Sequence, residues 1–312
     1  MQKFNPENDA ASVFPDVPQG PEGGESHSSV THTSQLRRAL EATAFLGAWM
    51  VIGFVLKLDP NSYLLLGLPI TVVFQLLVRK APLRALWVRK APPLDIGKLK
   101  PAAQLVALAF AIANMVILYE YYFATHSWIL VLYELVAILG TIPLAYAIHN
   151  FTRQMVRPLL LCLATAGSVT VGLDMTLYLF GVFEQHSLTP VTLGGFVIIW
   201  IVSMVQYLPI VFLLEEVWFR GAFDSHIYHL GEKYPNLTAI YVSLLWGAWH
   251  FPIVYTSSMG LNADIGVLME LLVLQGVVGS FLSIYWRKSG NLLVPGSVHA
   301  FADSVRNGLG LF

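Results

Sequence analysis

The chain reads as an all-α, polytopic membrane protein: a bundle of about eight to nine transmembrane helices behind a disordered N-terminal tail. Three observations predict this. Of 312 residues, 56% are hydrophobic and only 12% are charged, against roughly a quarter charged in a soluble domain. Mean hydropathy is +0.63. The apolar residues also gather into runs of about 20, the length that crosses a hydrocarbon core.

Residues 1–36 read as a disordered cytoplasmic tail, rich in Pro, Gly and Ser, with Asn5-Pro6, Pro18-Gln19-Gly20-Pro21 and Gly23-Gly24. The tail lacks the basic start and apolar stretch of a signal peptide, and its composition cannot build a core. His27 and His32 read there as solvated tail residues. Candidate spans then follow at residues 39–57, 61–78, 102–123, 128–148, 158–181, 191–214 with an extension, 237–256, 265–286 and 292–311. Pro92-Pro93 and Pro101 break the chain before the third span. The division that results is an N-terminal transmembrane hairpin with a basic loop, residues 37–100, and a core, residues 101–312.

Loop charge sets the expected orientation. The loop after the second span carries Arg79, Lys80, Arg84, Arg89, Lys90, Lys98 and Lys100 against a single Asp95. Arg153 and Arg157 follow the fourth span, and Arg287 and Lys288 the eighth. Alternation puts all three loops on one side, so the N-terminus is expected in the cytoplasm and the protein in the plasma membrane. Net charge is -1, which gives no footprint for nucleic acid. The single cysteine, Cys162, lies in an apolar run; it forms no intrachain disulfide and no Cys-rich zinc site, and is expected as a buried thiol.

Three strings carry the chemistry: Glu215-Glu216-Val217-Trp218-Phe219-Arg220, Trp246-Gly247-Ala248-Trp249-His250 and His299-Ala300-Phe301-Ala302-Asp303. Each lies in or follows an apolar run, where ionisable groups are costly and functional by default. No strong breaker stands between Glu215 and Leu230, so the helix is expected to continue to about Gly231, with Pro235 starting the next one. About a turn centred on residue 233, Glu215 lies 18 residues before and His250 17 after, which brings them to one depth in a helical hairpin. Glu216 and Arg220 stand at i and i+4 in the favourable order, and a buried arginine needs such a carboxylate. Glu215 is left free as a general base towards water, with His250 opposite it to hold that water or pass its proton on. His299 and Asp303 share a face, Ser297 points elsewhere, and His299 can donate to a developing oxyanion. Asp303 could donate there if protonated; if ionised it would orient His299 instead. Gly276, Gly279 and Ser280 allow close helix approach, and Gly290 marks a turn.

These strings resemble the CPBP family, the CAAX-protease and bacteriocin-processing intramembrane proteases. The family pattern is EExxxR, an aromatic residue followed by xxxH, and HxxxN or HxxxD. Glu215-Glu216 with Arg220, Trp246 with His250, and His299 with Asp303 match it, as does Gly290-Asn291-Leu292, across residues 191–307. The resemblance implies that Glu215 and His250 activate water. It also implies that His299 and Asp303 form the oxyanion site and that Glu216 with Arg220 holds the helix. Trp246 stands where phenylalanine is commoner, and Asp303 where asparagine is commoner. The implied activity is an intramembrane endopeptidase acting on a peptide or lipidated protein substrate at the lipid bilayer, with no cofactor required.

Other readings use the same residues. A metalloprotease would use Glu215, His250 and His299 as an N/O set for zinc, although the chain has no HExxH. A transporter or proton carrier would string acids and histidines along a pathway, but no inverted repeat is visible. A membrane scaffold or immunity-type protein would keep the fold without turnover. Glu120, Glu134, Asp174 and Glu270 are further intramembrane acids with no partner visible in sequence. Trp128, Tyr207 and Trp286 are expected as interfacial aromatics. Asp224, His226 and His229 read as a solvated cytoplasmic helix end rather than a metal site.

Overall fold

The computed structural model describes residues 31–90, 92–179, 192–229, 232, 234–255 and 261–310. The expected tail falls almost wholly outside these residues. Among them the architecture is helical, with no strand beyond one isolated bridge, Val88 to Asn291. The principal helices are α1 (Thr31–Leu56), α2 (Pro60–Val73, prolonged by a π turn over Phe74–Val78), α3 (Pro101–Thr125), α4 (Trp128–His149), α5 (Val156–Cys162) and α6 (Ser168–Leu179). A π turn, Leu163–Gly167, joins α5 to α6. The remainder are α7 (Leu193–Val211), α8 (Pro235–Trp249), α9 (Leu261–Ser289) and α10 (Leu293–Gly308). Seven helical stretches among the described residues are long and apolar enough to cross a membrane. At 15 and 16 residues, α8 and α10 are shorter.

Helix boundaries follow local chemistry. Asp59 caps α2, accepting from the backbone N–H groups of Asn61 and Ser62, with Pro60 at the first helical position. Proline also opens α3 and α8. Gly290, at φ +63°, turns α9 into α10 with a backbone conformation that side chains disfavour. Large lipid-facing apolar residues stud α1, α3 and α7, among them Leu40, Leu108 and Ile198. The aromatic core holds Trp49, Trp218, Trp249 and Trp286, all fully buried.

The expected continuous helix from residue 191 to about 231 is corrected. α7 ends at Val211, a turn covers residues 212–215, and a π-helical segment runs over Val217–Asp224. Pro209 lacks an N–H for the carbonyl of Val205, which instead accepts from the Asn114 side chain of α3 at 3.1 Å. The carbonyl of Phe212 accepts from the Trp87 indole at 2.6 Å. The N–H groups of Leu213 and Leu214 both fold back onto Ile210 O at 2.9 Å. Two donors from distant segments therefore serve carbonyls that a regular helix would have served itself.

The basic loop is packed rather than loose. Arg89 N donates to Gly290 O, and Leu292 N donates to Trp87 O, both at 2.8 Å. Arg79 donates to Gln75 Oε1 at 2.8 Å and to Gly221 O at 2.9 Å. Arg38, at the start of α1, reaches His226 O, and Asn291 donates to Ala147 O near the end of α4 at 2.8 Å. The segments around residues 38, 79–100, 149, 226 and 290 therefore gather at one end of the bundle. The solvated reading of Asp224 is corrected here. Asp224 is fully buried and accepts a forked pair of bonds from Arg287 Nε at 2.9 and 3.0 Å, with Arg89 3.5 Å away. A carboxylate carried below the surface needs such partners. His226 bonds Glu41 at 2.9 Å.

Candidate active site

The broken helix still delivers Glu215 to the expected place. It stands at the end of the turn, and its carbonyl starts the π segment by accepting from Trp218 N and Phe219 N at 3.0 Å. Glu215 Oε2 lies 3.9 Å from His250 Nε2 and 3.9 Å from His299 Nε2. Neither separation is a hydrogen bond; each leaves room for a bridging water. The direct partner of Glu215 Oε2 is the Trp246 indole N–H, at 3.2 Å.

His250 is held by its own helix end. Its Nδ1 bonds the Trp246 carbonyl at 2.9 Å. A carbonyl only accepts, so Nδ1 carries the proton, and in the neutral ring Nε2 keeps its lone pair, facing Glu215. Trp246 lies under all of this. Its ring is 5.1 Å from the His299 ring and 5.5 Å from the His250 ring, and it carries the Arg220 guanidinium 4.4 Å from its centroid.

His299, on α10, has both ring nitrogens against carboxylates. Nδ1 is 2.9 Å from Glu216 Oε1, and Nε2 is 3.2 Å from Asp303 Oδ2. That arrangement suits a ring donating from both nitrogens. Glu216 Oε1 also accepts from Arg220 Nη1 at 2.9 Å, and both side chains are fully buried. Arg220 Nη2 reaches Gly279 O at 3.3 Å. A Cβ at Gly279 would stand 2.8 Å from that nitrogen, so the glycine makes the room for the arginine.

All six residues of the three strings therefore meet. Glu215, His250, His299 and Asp303 line a cavity of about 370 Å³, together with Arg306 and Gln275. Glu216 and Arg220 stand behind its wall. Apolar lining comes from Leu64, Leu274, Val278 and Leu282, and Pro60 and Asn61 at the start of α2 also reach it.

Several neighbours of the site were not legible beforehand. Trp246 entered the sequence reading only as a motif aromatic, though its spacing four before His250 was the available signal. Asp174 accepts from Arg306 Nε at 3.1 Å, a pairing across 132 residues with no local trace. Glu134 accepts from Gln206 at 2.8 Å, whereas Glu120 and Glu270 are exposed. Of the three aromatics expected at the membrane interface, only Trp128 is exposed. Tyr207 lines the cavity, and Trp286 is buried with its indole on Ser225 Oγ at 3.1 Å. Cys162 is buried.

The zinc set finds no support in this geometry. Both His299 nitrogens are engaged by carboxylates, leaving no lone pair for a metal. Among the described residues, no group of three or more His, Cys, Asp or Glu is arranged to hold a metal ion.

Comparison with known proteins adds an independent line. Residues 195–305, roughly a third of the chain, match the family model described as type II CAAX prenyl endopeptidase Rce1-like. No match was found among curated proteins or among solved structures. The matched stretch runs from α7 into α10 and holds every residue of the three strings. The likeness to the Rce1-like CAAX endopeptidase model extends over residues 195–305. With its many apolar helices, the chain is a multi-pass integral membrane protein.

Proposed function

We propose that this Rce1-like chain is an intramembrane endopeptidase that hydrolyses a peptide bond of a membrane-associated substrate with a water activated by Glu215 and His250. One observation carries the reading. At the wall of a cavity, Glu215 Oε2 sits 3.9 Å from the Nε2 atoms of both His250 and His299. A water in the first gap can donate one hydrogen to the Glu215 carboxylate and the other to the lone pair on His250 Nε2. Its oxygen is then left to attack a carbonyl. The proton moves to Glu215 or His250 as the carbon–oxygen bond forms, and either group can return it to the leaving amine. His299 Nε2, between Glu215 and Asp303, carries one N–H, which Asp303 holds at rest and which is shared with the oxyanion as its charge develops.

In this arrangement Asp303 serves as the acceptor that orients His299, the ionised alternative of the two that the sequence left open. Glu216 and Arg220 fix His299 from the other side. The substrate class taken from the family description is a CAAX-type protein presented at the bilayer; a propeptide is the alternative that the resemblance of the strings implies. The N-terminus and basic loops face the cytoplasm in this reading, and the plasma membrane is its site.

The test compares cleavage of membrane proteins, read as new N- and C-termini, in cells with wild-type protein and with Glu215→Gln or His250→Ala. Loss of the base or of the water-holding histidine is expected to slow turnover by about 100-fold or more, with folded protein retained. Wild-type cleavage by either variant would refute the mechanism.

A further inference from the structure

An ion-pair chain runs from α6 through the site to the π segment. Asp174 Oδ1 meets Arg306 Nε at 3.1 Å, and Arg306 Nη1 lies 3.7 Å from Asp303 Oδ1. Asp303 Oδ2 meets His299 Nε2 at 3.2 Å. His299 Nδ1 meets Glu216 Oε1, which meets Arg220 Nη1, both at 2.9 Å. Charge alternates at every step. With His299 donating from both nitrogens, three anions are matched by three cations, and Glu215 is left as the unmatched charge at the cavity wall.

We propose that Arg306, anchored by Asp174, is a positioning residue that holds the Asp303 carboxylate against His299. The proposal rests on the reading of Glu215, His250 and His299 as the hydrolytic centre. Asp303 turns one oxygen to each neighbour, so the Arg306 charge at 3.7 Å favours the orientation in which Oδ2 stays on His299. Unheld, that group could rotate into the cavity and compete with Glu215 for a donating water. An asparagine at this position would carry no charge and need no arginine. The ionised residue does, and Arg306 lies one turn along the same helix. Arg306 would be one positive charge too many without Asp174, which comes from α6 and is buried. Around the pair stand Tyr207 from α7, Tyr133 from α4, His250 from α8 and Glu215, all lining the same cavity.

The experiment measures kcat, KM and the thermal midpoint in detergent. The variants are Arg306→Gln, Asp303→Asn and the triple Asp174→Asn/Arg306→Gln/Asp303→Asn, which removes the three charges and leaves none alone. Glu215→Gln is the control. Arg306→Gln is expected to lower kcat about 10- to 100-fold with KM within about threefold, and to lower the midpoint. The triple variant is expected to differ from Asp303→Asn by less than about threefold in kcat, because Arg306 acts only through the charge of Asp303. It should also recover the midpoint lost by Arg306→Gln. Wild-type kcat in Arg306→Gln would overturn the positioning role alone. So would a triple variant as far below Asp303→Asn as Arg306→Gln is below wild type, since Arg306 would then act on something other than Asp303. Undiminished turnover in Glu215→Gln would instead bring down the hydrolytic reading and this inference with it.

Discussion

At the scale of single residues, the site separates groups that touch water from groups that hold them. Glu215 has one direct donor, the Trp246 indole, and two imidazoles just beyond hydrogen-bond reach. Such a carboxylate is oriented without being consumed. Glu216, one residue on, is the opposite case: its Oε1 takes both Arg220 and His299 and is closed to solvent. Adjacent identical side chains therefore do different work because one ends the turn after α7 and faces the cavity, while the other opens the π segment and is buried behind it. Asp303 is the residue whose replacement is most informative. In Asp303→Asn, the amide oxygen can still accept from His299 Nε2, and the amide NH2 then takes the place of Oδ1 on the side of Arg306. Arg306 keeps Asp174. Turnover is expected to stay within about tenfold of wild type, about 1.4 kcal/mol in barrier. The pH–rate profile should shift because one titratable group leaves the site. A loss as deep as that of Glu215→Gln in the same assay would show that the charge itself is required.

At the scale of elements, the segment after α7 decides the geometry, and it was only half legible. Spacing alone paired Glu216 with Arg220, because an i, i+4 contact is local; Glu215 does come within 3.9 Å of His250, although the continuous helix on which that expectation rested is broken. The break at Val211 had one local signal, Pro209; what was not legible is how the freed carbonyls are satisfied, by Asn114 and Trp87 from 91 and 125 residues away. Asp224 was misplaced for the same reason, since Arg287, 63 residues on, buries it. Two predictions belong here. Trp87→Phe keeps an aromatic ring, smaller than the indole, but removes the donor to Phe212 O, leaving a buried carbonyl unpaired at a cost of about 1–3 kcal/mol. Its thermal midpoint in detergent should fall, and an unchanged midpoint would deny the indole that role. Arg220→Ala takes from the fully buried Glu216 its arginine, leaving it only His299, and frees Gly279 O, at a cost of about 3–5 kcal/mol. Folded yield as well as turnover should drop. Full stability with activity alone lost would mean that the pair is not structural.

At the scale of the whole molecule, the two ends of the bundle differ in charge and in access to the site. One end gathers the basic loop, the Arg287 network and the start of α1, and there Trp87 and Leu86 pack beneath the π segment. The cavity reaches the other end, where Pro60 and Asn61 open α2 and Arg306 closes α10. Asn61, in the first turn of α2, and Lys98, beyond its far end, therefore lie on opposite sides of a stretch long and apolar enough to cross the bilayer. The positive-inside tendency puts Lys98 in the cytoplasm, and continuity of α2 then puts Asn61 on the opposite face. In a Cys162→Ala background, which removes the only native thiol, Lys98→Cys should resist a membrane-impermeant thiol reagent in intact cells and react in inverted vesicles. Asn61→Cys should show the reverse pattern. Reversal of both would invert the orientation and leave the fold intact, whereas labelling of both from one side would mean that α2 does not span the membrane.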